Sequence, residues 1–214
     1  MIAHLHYITQ DVSGRSHAEL AALACKGGVK WVQFRMKDKS DEACLAEATE
    51  TLKVCKAYGA RLIMNDRVLL AARIGADGVH LGKTDMAIEE ARHILGKDAL
   101  IGATANTFQD IERIEESSAD YIGLGPFRFT ETKQNLSPIL GCEGYASLLE
   151  QAGTDGLPII AIGGIRVGDV QDLMNIGMHG IAVSSAINLS KDPADAARQF
   201  LKALQKAILS GVRS

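Results

Sequence analysis

Short apolar runs recur along the chain at roughly even intervals, with amphipathic stretches between them. Eight runs predict β-strands, because each has three to five mainly apolar residues bounded by polar or glycine-containing turns. Helix-period segments such as Asp41–Ala57 and Ala194–Leu209 alternate with these strands. The alternation predicts βαβ units and a parallel sheet. The predicted strands are Leu5–Thr9, Trp31–Arg35, Leu62–Asn65, Gly78–Leu81, Leu100–Ala103, Tyr121–Gly123, Ile159–Ile162 and Gly180–Ser184.

The number and spacing of these units favour a closed barrel. A chain of 214 residues gives each of eight units roughly 27 residues, which is room for a strand, a helix and two loops. An open doubly wound sheet is the alternative, but it usually carries a glycine-rich fingerprint after its first strand. The segment Gln10–Gly14 is not such a fingerprint. We therefore predict an α/β fold, a single (β/α)8 TIM barrel domain over residues 1–214.

Glycine-containing turns precede several predicted strands and belong to the opposite end of the barrel. Asp77 lies in the turn before Gly78–Leu81, and His179 lies in the turn before Gly180–Ser184. In this fold the N-terminal ends of the strands serve stability and the C-terminal ends serve function. We therefore predict structural roles for Asp77 and His179.

Composition and charge exclude several classes of partner. A formal charge of −3 offers no basic surface to nucleic acid or to an anionic membrane. No stretch approaches the ~20 apolar residues needed to span a bilayer, and the N-terminal segment does not resemble a signal peptide. The four cysteines have no CxxC spacing and the histidines form no HExxH pair. We expect a cytoplasmic protein with small-molecule partners; assembly into a homo-oligomer stays open.

The predicted strand Trp31–Arg35 continues into an alternating polar series. Period-two geometry places Gln33, Arg35 and Lys37 on one face. Because the outer surface of a barrel meets helices, this face points inward and toward the top. Two cations and an amide are costly to desolvate there without an anion. The series predicts a site for a multiply charged oxyanion such as a diphosphate, with a structural ion-pair network as the alternative.

Two carboxylates come just after neighbouring strands. Asp66 follows Leu62–Asn65, and Asp85 follows Gly78–Leu81 after a short turn. Each one alone is as consistent with a helix N-cap as with a ligand. Together, beside the cations of the preceding strand, they form a hard oxygen site suited to Mg²⁺, which typically takes one or two protein carboxylates plus substrate oxygens. We predict that both are metal ligands.

A long polar segment follows the sixth predicted strand. It runs over residues 127–141 and contains Thr130, Thr132 and Lys133. Loops of this length in compact domains are often functional, and we predict a lid over the barrel top. The alternative is a solvated loop that contacts no ligand.

Small residues end the last two strands. Gly163-Gly164 follows the seventh strand and Ser184-Ser185 ends the eighth. Backbone N–H groups at these positions can bind a phosphate monoester, as TIM barrels frequently do after strands seven and eight. The alternative is close packing that requires small side chains. Thr104, after the fifth strand, can either contact a phosphate or cap the next helix.

Taken in order, these motifs resemble the thiamine-phosphate synthase (thiamine-phosphate pyrophosphorylase) family over essentially the whole chain. Each piece is short, but the order and spacing of the pieces through eight units make the match specific. The matching pieces are Gln33-x-Arg35-x-Lys37, Asn65-Asp66-Arg67, GADGVHLG at residues 75–82, Thr130-x-Thr132-Lys133, Gly163-Gly164-Ile165 and Ser185-Ala186-Ile187.

The resemblance implies that the protein joins an aminopyrimidine-methyl diphosphate to a thiazole phosphate, plain or carboxylated, releasing diphosphate and forming thiamine phosphate. It implies a dissociative substitution assisted by Mg²⁺, which depends on electrostatic stabilisation of the leaving group more than on a protein nucleophile. Arg35, Lys37 and Lys133 are the implied catalytic cations. The implied ligands are Gln33, Arg35, Lys37, Asn65, Thr104 and Lys133 for the pyrimidine diphosphate, Asp66 and Asp85 for Mg²⁺, and Thr130, Thr132, Gly164, Ser184 and Ser185 for the thiazole phosphate.

Five positions depart from the family pattern. Thr104 stands where serine is usual, and Ser184 stands where an aliphatic residue is usual. Lys83 stands in place of a common glutamine, and Gln134-Asn135 stands in place of a more charged pair. The first change keeps a hydroxyl, whereas the last lies in the predicted lid.

Three other functions are compatible with parts of the pattern. The thiazole tautomerase of the same superfamily does not use the diphosphate, so the full set of cations and carboxylates argues against it. A sugar-phosphate isomerase or epimerase would need an acid–base pair instead of a cation cluster. A silent regulator that only binds a thiamine precursor would leave the carboxylate pair without a purpose.

Overall fold

The chain closes into a barrel of eight parallel strands. The computed structural model describes residues 1–37, 39–129, 138–153 and 156–211. The strands pair in sequence order, and the last pairs with the first. All eight predicted strands are confirmed, with ends displaced by at most two residues, and the open-sheet alternative is wrong. The strands are β1 (Leu5–Ile8), β2 (Trp31–Phe34), β3 (Arg61–Asn65), β4 (Gly78–Leu81), β5 (Leu100–Ala105), β6 (Tyr121–Leu124), β7 (Ile159–Ile162) and β8 (Gly180–Val183).

A helix follows every strand. Side-chain caps begin some of them: Ser16 accepts a hydrogen bond from the Glu19 N–H at 3.1 Å, and Thr107 does so from Asp110 at 3.2 Å. Within the described ranges, none of the helices has the length and apolarity that crossing a membrane requires. The helices are α1 (His17–Lys26), α2 (Asp41–Ala57), α3 (Val68–Ile74), α4 (Ile88–Leu95), α5 (Phe108–Glu115), α6 (Gly141–Ala152), α7 (Val170–Ile176, after a 3₁₀ turn at Val167–Asp169), α8 (Ser185–Asn188) and α9 (Pro193–Gly211).

Alternate residues of each strand belong to two different cores. Val32 and Phe34 of β2 join the large apolar cluster between the sheet and the helices. Trp31 of β2 joins a smaller cluster with Ile63 and Tyr121, which fills the inside of the barrel. The predicted inward face of β2 is therefore confirmed. Above this packed interior, the described residues leave a cavity toward the C-terminal ends of the strands.

The N-terminal ends of the strands are joined by side chains that bind backbone groups. Asp77 Oδ2 accepts a hydrogen bond from the Leu62 N–H at 2.8 Å, which links the turn before β4 to β3. His179 Nε2 lies 3.0 Å from the carbonyl oxygen of Ile2. The structural roles predicted for Asp77 and His179 are confirmed.

Candidate active site

A cavity of about 530 Å³ lies at the C-terminal ends of the strands. Residues far apart in the chain meet there, because the ends of parallel strands share one rim of the barrel. The predicted residues Thr130, Thr132 and Lys133 lie outside the described part of the chain. The other ten predicted site residues line the cavity: Gln33, Arg35, Lys37, Asn65, Asp66, Asp85, Thr104, Gly164, Ser184 and Ser185.

The polar series at the end of β2 forms the cationic side of this cavity. Gln33 is buried, and its Nε2 donates a hydrogen bond to Asn65 Oδ1 at 2.9 Å. The Arg35 N–H donates to Thr9 Oγ1 at 3.0 Å, which fixes the chain where it leaves the strand. Arg35 and Lys37 then present their charges at the cavity wall. The amide pair is thus rigid, and the cations lie beyond it.

Asp66 and Asp85 meet on the same side of the cavity. Their carboxyl groups are close enough to hydrogen bond to each other, and Asp85 Oδ2 also accepts a hydrogen bond from the Gly82 N–H. Helix α3 is preceded by Arg67 and α4 by Ala87, and neither helix has a side-chain cap. The N-cap alternative for these two aspartates is therefore wrong.

The electrostatics of this pair suit a divalent cation. Burial and then the neighbouring Asp85 carboxyl raise the pKa of Asp66, Lys37 and Arg35 act in the opposite direction, and the net result is a pKa of about 7. The burial and the neighbouring carboxyl that disfavour the charge of Asp66 leave a place that a cation can take. Among the described residues no group of three or more His, Cys, Asp or Glu side chains is placed to hold a metal. Mg²⁺ usually takes only one or two carboxylate ligands from the protein, and this pair supplies two.

His80 belongs to the site although the sequence analysis assigned it no role. Its Nε2 lies 3.1 Å from Thr104 Oγ1, and its Nδ1 lies 3.1 Å from Tyr121 Oη. Thr107 caps α5, so the capping alternative for Thr104 is wrong. A signal was available: His80 is a polar interruption in a buried strand, as Gln33 is.

Lys83 and Asp110 form an ion pair at the rim. Lys83 Nζ lies 2.5 Å from Asp110 Oδ2, and the same carboxylate accepts a hydrogen bond from the Asn106 N–H at 2.9 Å. Burial raises the pKa of Asp110, but the Lys83 ammonium and the Asn106 N–H outweigh it, and the pKa is lower than usual. The lysine that replaces a family glutamine therefore has a carboxylate partner. No sequence pattern links these two loops, so the pairing could not be foreseen.

Gly163 and Gly164 are required by close packing. Both have positive φ, at 107° and 64°. A Cβ on Gly163 would lie 2.9 Å from Pro126 Cα, and one on Gly164 would lie 2.5 Å from Arg128 Cγ. The loop after β6 therefore approaches the end of β7, and the packing alternative explains why glycine stands here. Gly164 also lines the cavity, so a phosphate contact remains compatible with this packing.

The predicted lid segment is tied to the barrel at its start. The Phe127 N–H donates to the Ile162 carbonyl oxygen at 2.8 Å. Arg128 binds the two carboxylate oxygens of Asp169 at 2.6 and 2.9 Å. Residues 130–137, the centre of the segment, lie outside the described residues, so closure of a lid stays a prediction.

The serines that follow β8 share one acceptor. Ser184 Oγ and Ser185 Oγ donate to Gln10 Oε1 at 2.9 and 3.0 Å. Asn188 Nδ2 in turn donates to Ser184 Oγ at 3.2 Å. Gln10 follows β1 and was not among the predicted site residues, because nothing in its local sequence marks it.

Known proteins share both the sequence and the fold of this chain. The family model described as thiamine monophosphate synthase matches residues 5–187. The thiamine-phosphate synthase of Bacteroides fragilis is 48% identical over 199 residues, which cover 92% of this chain and 98% of that protein. That of Flavobacterium psychrophilum is 43% identical over 206 residues, covering 95% and 100%. The solved structure of thiamine phosphate pyrophosphorylase from Pyrococcus furiosus has a TM-score of 0.84 at 29% identity, covering 95% and 96%.

Proposed function

The chain belongs to the thiamine monophosphate synthase family and acts as a thiamine-phosphate synthase, and from this premise we propose that its cavity holds the two substrates at opposite ends, with Mg²⁺ beside the diphosphate. The family membership sets aside a sugar-phosphate isomerase. Relatives at 43% and 48% identity are synthases, which favours the synthase over the tautomerase and over a silent regulator.

The observation that carries the proposal is the division of the cavity wall. The ends of β2 to β5 supply the cations, the amide pair, the carboxylate pair and Thr104. The ends of β7 and β8 supply glycine and serine. In a closed barrel with strands in sequence order, these groups of strands lie across the opening from each other. The polyanionic diphosphate fits the first side, and the single phosphate of the thiazole fits the second.

The residues of the first side suit a leaving diphosphate. The bond between the pyrimidine methylene carbon and the diphosphate oxygen breaks, the electron pair leaves with diphosphate, and the thiazole nitrogen lone pair forms the new C–N bond. Arg35 and Lys37 stabilise the negative charge that develops on the leaving oxygens. Asp66 and Asp85 would hold Mg²⁺, which would supply further positive charge at the diphosphate. Gln33 and Asn65, joined by their hydrogen bond, orient the pyrimidine next to this charge.

This chemistry needs no protein nucleophile. Cys25, Cys44 and Cys55 are buried, and Cys142 is exposed. None of these four cysteines is among the residues that line the described cavity. All four are free thiols, which supports our placement of the protein in the cytoplasm, where thiols stay reduced.

Two measurements test the proposal. Purified protein incubated with both precursors should form thiamine phosphate, detected by mass spectrometry, and EDTA should stop the reaction until Mg²⁺ is restored. Unchanged turnover in EDTA-treated protein would refute the proposed role of Mg²⁺.

Calorimetric titration with each substrate tests the two sides separately. Arg35→Ala should weaken binding of the pyrimidine diphosphate about tenfold or more, because a charge-assisted hydrogen bond is lost. Ser185→Leu should chiefly weaken binding of the thiazole phosphate, because the leucine side chain would extend into the β7–β8 end of the cavity. Arg198→Ala, on the exposed side of α9, is the matched control for charge. Equal losses for both ligands in both site variants would refute the division.

A further inference from the structure

Gln10 lies behind the small-residue end of the cavity and contacts it through two serines. Its Oε1 accepts hydrogen bonds from Ser184 Oγ at 2.9 Å and from Ser185 Oγ at 3.0 Å. Both serines line the described cavity, whereas Gln10 itself is not among the lining residues. One amide oxygen therefore sets the direction of two hydroxyl groups at the wall of the site.

A buried network holds Ser184 from the other side. Asn188 is buried, and its Nδ2 donates to the Ile8 carbonyl oxygen at 2.8 Å and to Ser184 Oγ at 3.2 Å. The Asn188 Oδ1 accepts a hydrogen bond from the hydroxyl of Tyr7, which is also buried. The amide of Asn188 thus uses both its donor and its acceptor groups. The network ties the start of α8 to β1, and Gln10 completes it at the cavity.

The directions of these hydrogen bonds limit what the serines can do. A hydroxyl has one hydrogen, and in each serine that hydrogen points to Gln10. Ser184 Oγ also accepts a hydrogen bond from Asn188, so its hydroxyl acts as both donor and acceptor. The hydroxyls therefore hold the backbone of the β8–α8 junction in place, and the phosphate meets a preformed wall instead of two rotating hydroxyls.

We propose that Gln10 is a positioning residue for the thiazole phosphate, acting through Ser184 and Ser185. This inference rests on the proposed function, because it assumes that the thiazole phosphate binds at the β7–β8 end. It also gives a purpose to Ser184, which stands where the family has an aliphatic residue: its hydroxyl donates to Gln10 and accepts from Asn188, and an aliphatic side chain can do neither. A neutral amide suits this place, since it accepts from the serines without placing a negative charge beside the anion.

Substrate titrations of Gln10 variants test the proposal. Gln10→Met keeps the length of the side chain but removes the acceptor, and it should raise the Kd of the thiazole phosphate about tenfold. The Kd of the pyrimidine diphosphate should change less than about twofold, because that ligand binds across the cavity. Gln10→Glu keeps an oxygen for both hydroxyls but adds a charge, and it should weaken the thiazole phosphate while the protein stays as stable as the wild type.

A double-mutant comparison separates positioning from a merely structural role. In a Ser184→Ala, Ser185→Ala background the hydroxyls are gone, so adding Gln10→Met should change the Kd of the thiazole phosphate less than about twofold. Gln199→Met, on the exposed side of α9, is the matched control and should leave both affinities unchanged.

The outcomes distinguish this inference from the function on which it rests. Equal weakening of both ligands by Gln10→Met, or a full tenfold effect in the double-serine background, overturns the positioning role. The positioning role is also overturned if the wild-type protein binds the thiazole phosphate and the Gln10→Met protein binds it with the same Kd. Wild-type protein that binds neither substrate and forms no thiamine phosphate would instead overturn the proposed function.

Discussion

Asp66 combines an unusual backbone with an unusual charge state. Its φ of 67° is the only positive φ outside glycine in the described chain. Left-handed backbone outside glycine costs of order 1–3 kcal/mol and persists only where its surroundings impose it. Burial and the Asp85 carboxyl also raise the pKa of Asp66 to about 7, so its charged form is disfavoured. A divalent cation bound to the Asp66–Asp85 pair would offset the second cost.

Asp66→Asn separates metal binding from folding. Asparagine tolerates left-handed backbone and has the same shape, but it removes one charge from the carboxylate pair. We expect the metal-free variant to melt at the wild-type temperature or above it, measured by calorimetry at about pH 8. Turnover should fall about a hundredfold or more, because the leaving group loses charge stabilisation.

Asp172→Asn, at an exposed position of α7, is the control for the loss of one carboxylate. It should leave both melting temperature and turnover unchanged. An Asp66→Asn variant that keeps wild-type turnover and its response to Mg²⁺ would show that Asp66 is not a metal ligand.

At the scale of elements, one side chain joins the loop after β6 to β7 and to the turn before α7. Arg128 donates to the Gly164 carbonyl oxygen at 2.7 Å, binds both oxygens of Asp169, and lies 4.7 Å above the centre of the Phe127 ring. The loop after β6 therefore starts from a fixed point next to the cavity. Any movement of the predicted lid must take place beyond this anchor.

Gly164→Ala tests how closely the anchor approaches β7. The new Cβ would lie 2.5 Å from Arg128 Cγ and 3.0 Å from the Phe129 carbonyl oxygen, on a backbone with φ of 64°. We expect a loss of about 1–3 kcal/mol in the free energy of unfolding, measured with urea. Gly168→Ala is the matched control, since its Cβ would meet nothing within 4 Å. Equal effects of the two substitutions would contradict the close approach.

The ion pair of the anchor predicts a dependence of stability on pH. Burial raises the pKa of Asp169, but the Arg128 guanidinium and the Arg166 N–H outweigh it, and the pKa lies below its ordinary value of 3.8. A depressed pKa means that this group stabilises the fold above its unfolded-state pKa, and that the stabilisation is lost as the pH falls through the folded-state pKa.

Asp169→Asn should therefore cost about 1 kcal/mol in the free energy of unfolding near pH 7, and the difference from wild type should shrink as the pH falls from about 3.8 through the folded-state pKa. Urea titrations of both proteins across this range measure it. A difference that stays constant with pH would mean that the hydrogen bonds of Asp169, and not its charge, hold the loop.

At the scale of the whole molecule, carboxylates serve opposite purposes at the two ends of the barrel. At the N-terminal ends of the strands, Asp77 accepts a hydrogen bond from the Leu62 N–H at 2.8 Å, and Asp120 accepts one from the Ile101 N–H at 2.7 Å. At the C-terminal ends, Asp85 faces Asp66 and disfavours its charge. The first pair supports the sheet, whereas burial beside Asp85 makes the charge of Asp66 costly to the fold.

Asp77→Ala and Asp85→Ala should have opposite effects. Asp77→Ala leaves the Leu62 N–H without this partner and should reduce the free energy of unfolding by about 1–3 kcal/mol, while the activity of the folded protein stays within about twofold of wild type. Asp85→Ala should abolish turnover but change stability little, because relief of the charge cost at Asp66 offsets the hydrogen bond lost by the Gly82 N–H. Urea unfolding and a turnover assay below the melting temperature measure both. Loss of activity in a fully folded Asp77→Ala protein would contradict this division.

The fold could be predicted from the sequence because its signals are local and repeated. Strands such as Gly78–Leu81 and Ile159–Ile162 were recognised at their observed bounds, since a strand buried on both faces must be apolar. The side on which Gln33, Arg35 and Lys37 lie followed from the two-residue period of a strand. Ten site residues were found in this way and through the family motifs, because strand order places their strand ends on one rim.

Only the tertiary structure decided which of these residues touch each other. The contacts of Gln10 with Ser184, of Lys83 with Asp110 and of Arg128 with Asp169 join segments separated by 27 to 174 positions. Such pairs follow from the closure of the barrel and from the paths of its loops, and no local period encodes them. The chain by itself thus determines the elements, the faces of the strands and the chemistry at their ends. Packing in three dimensions determines the charge state of Asp66, the need for Gly164 and the partners of the serines.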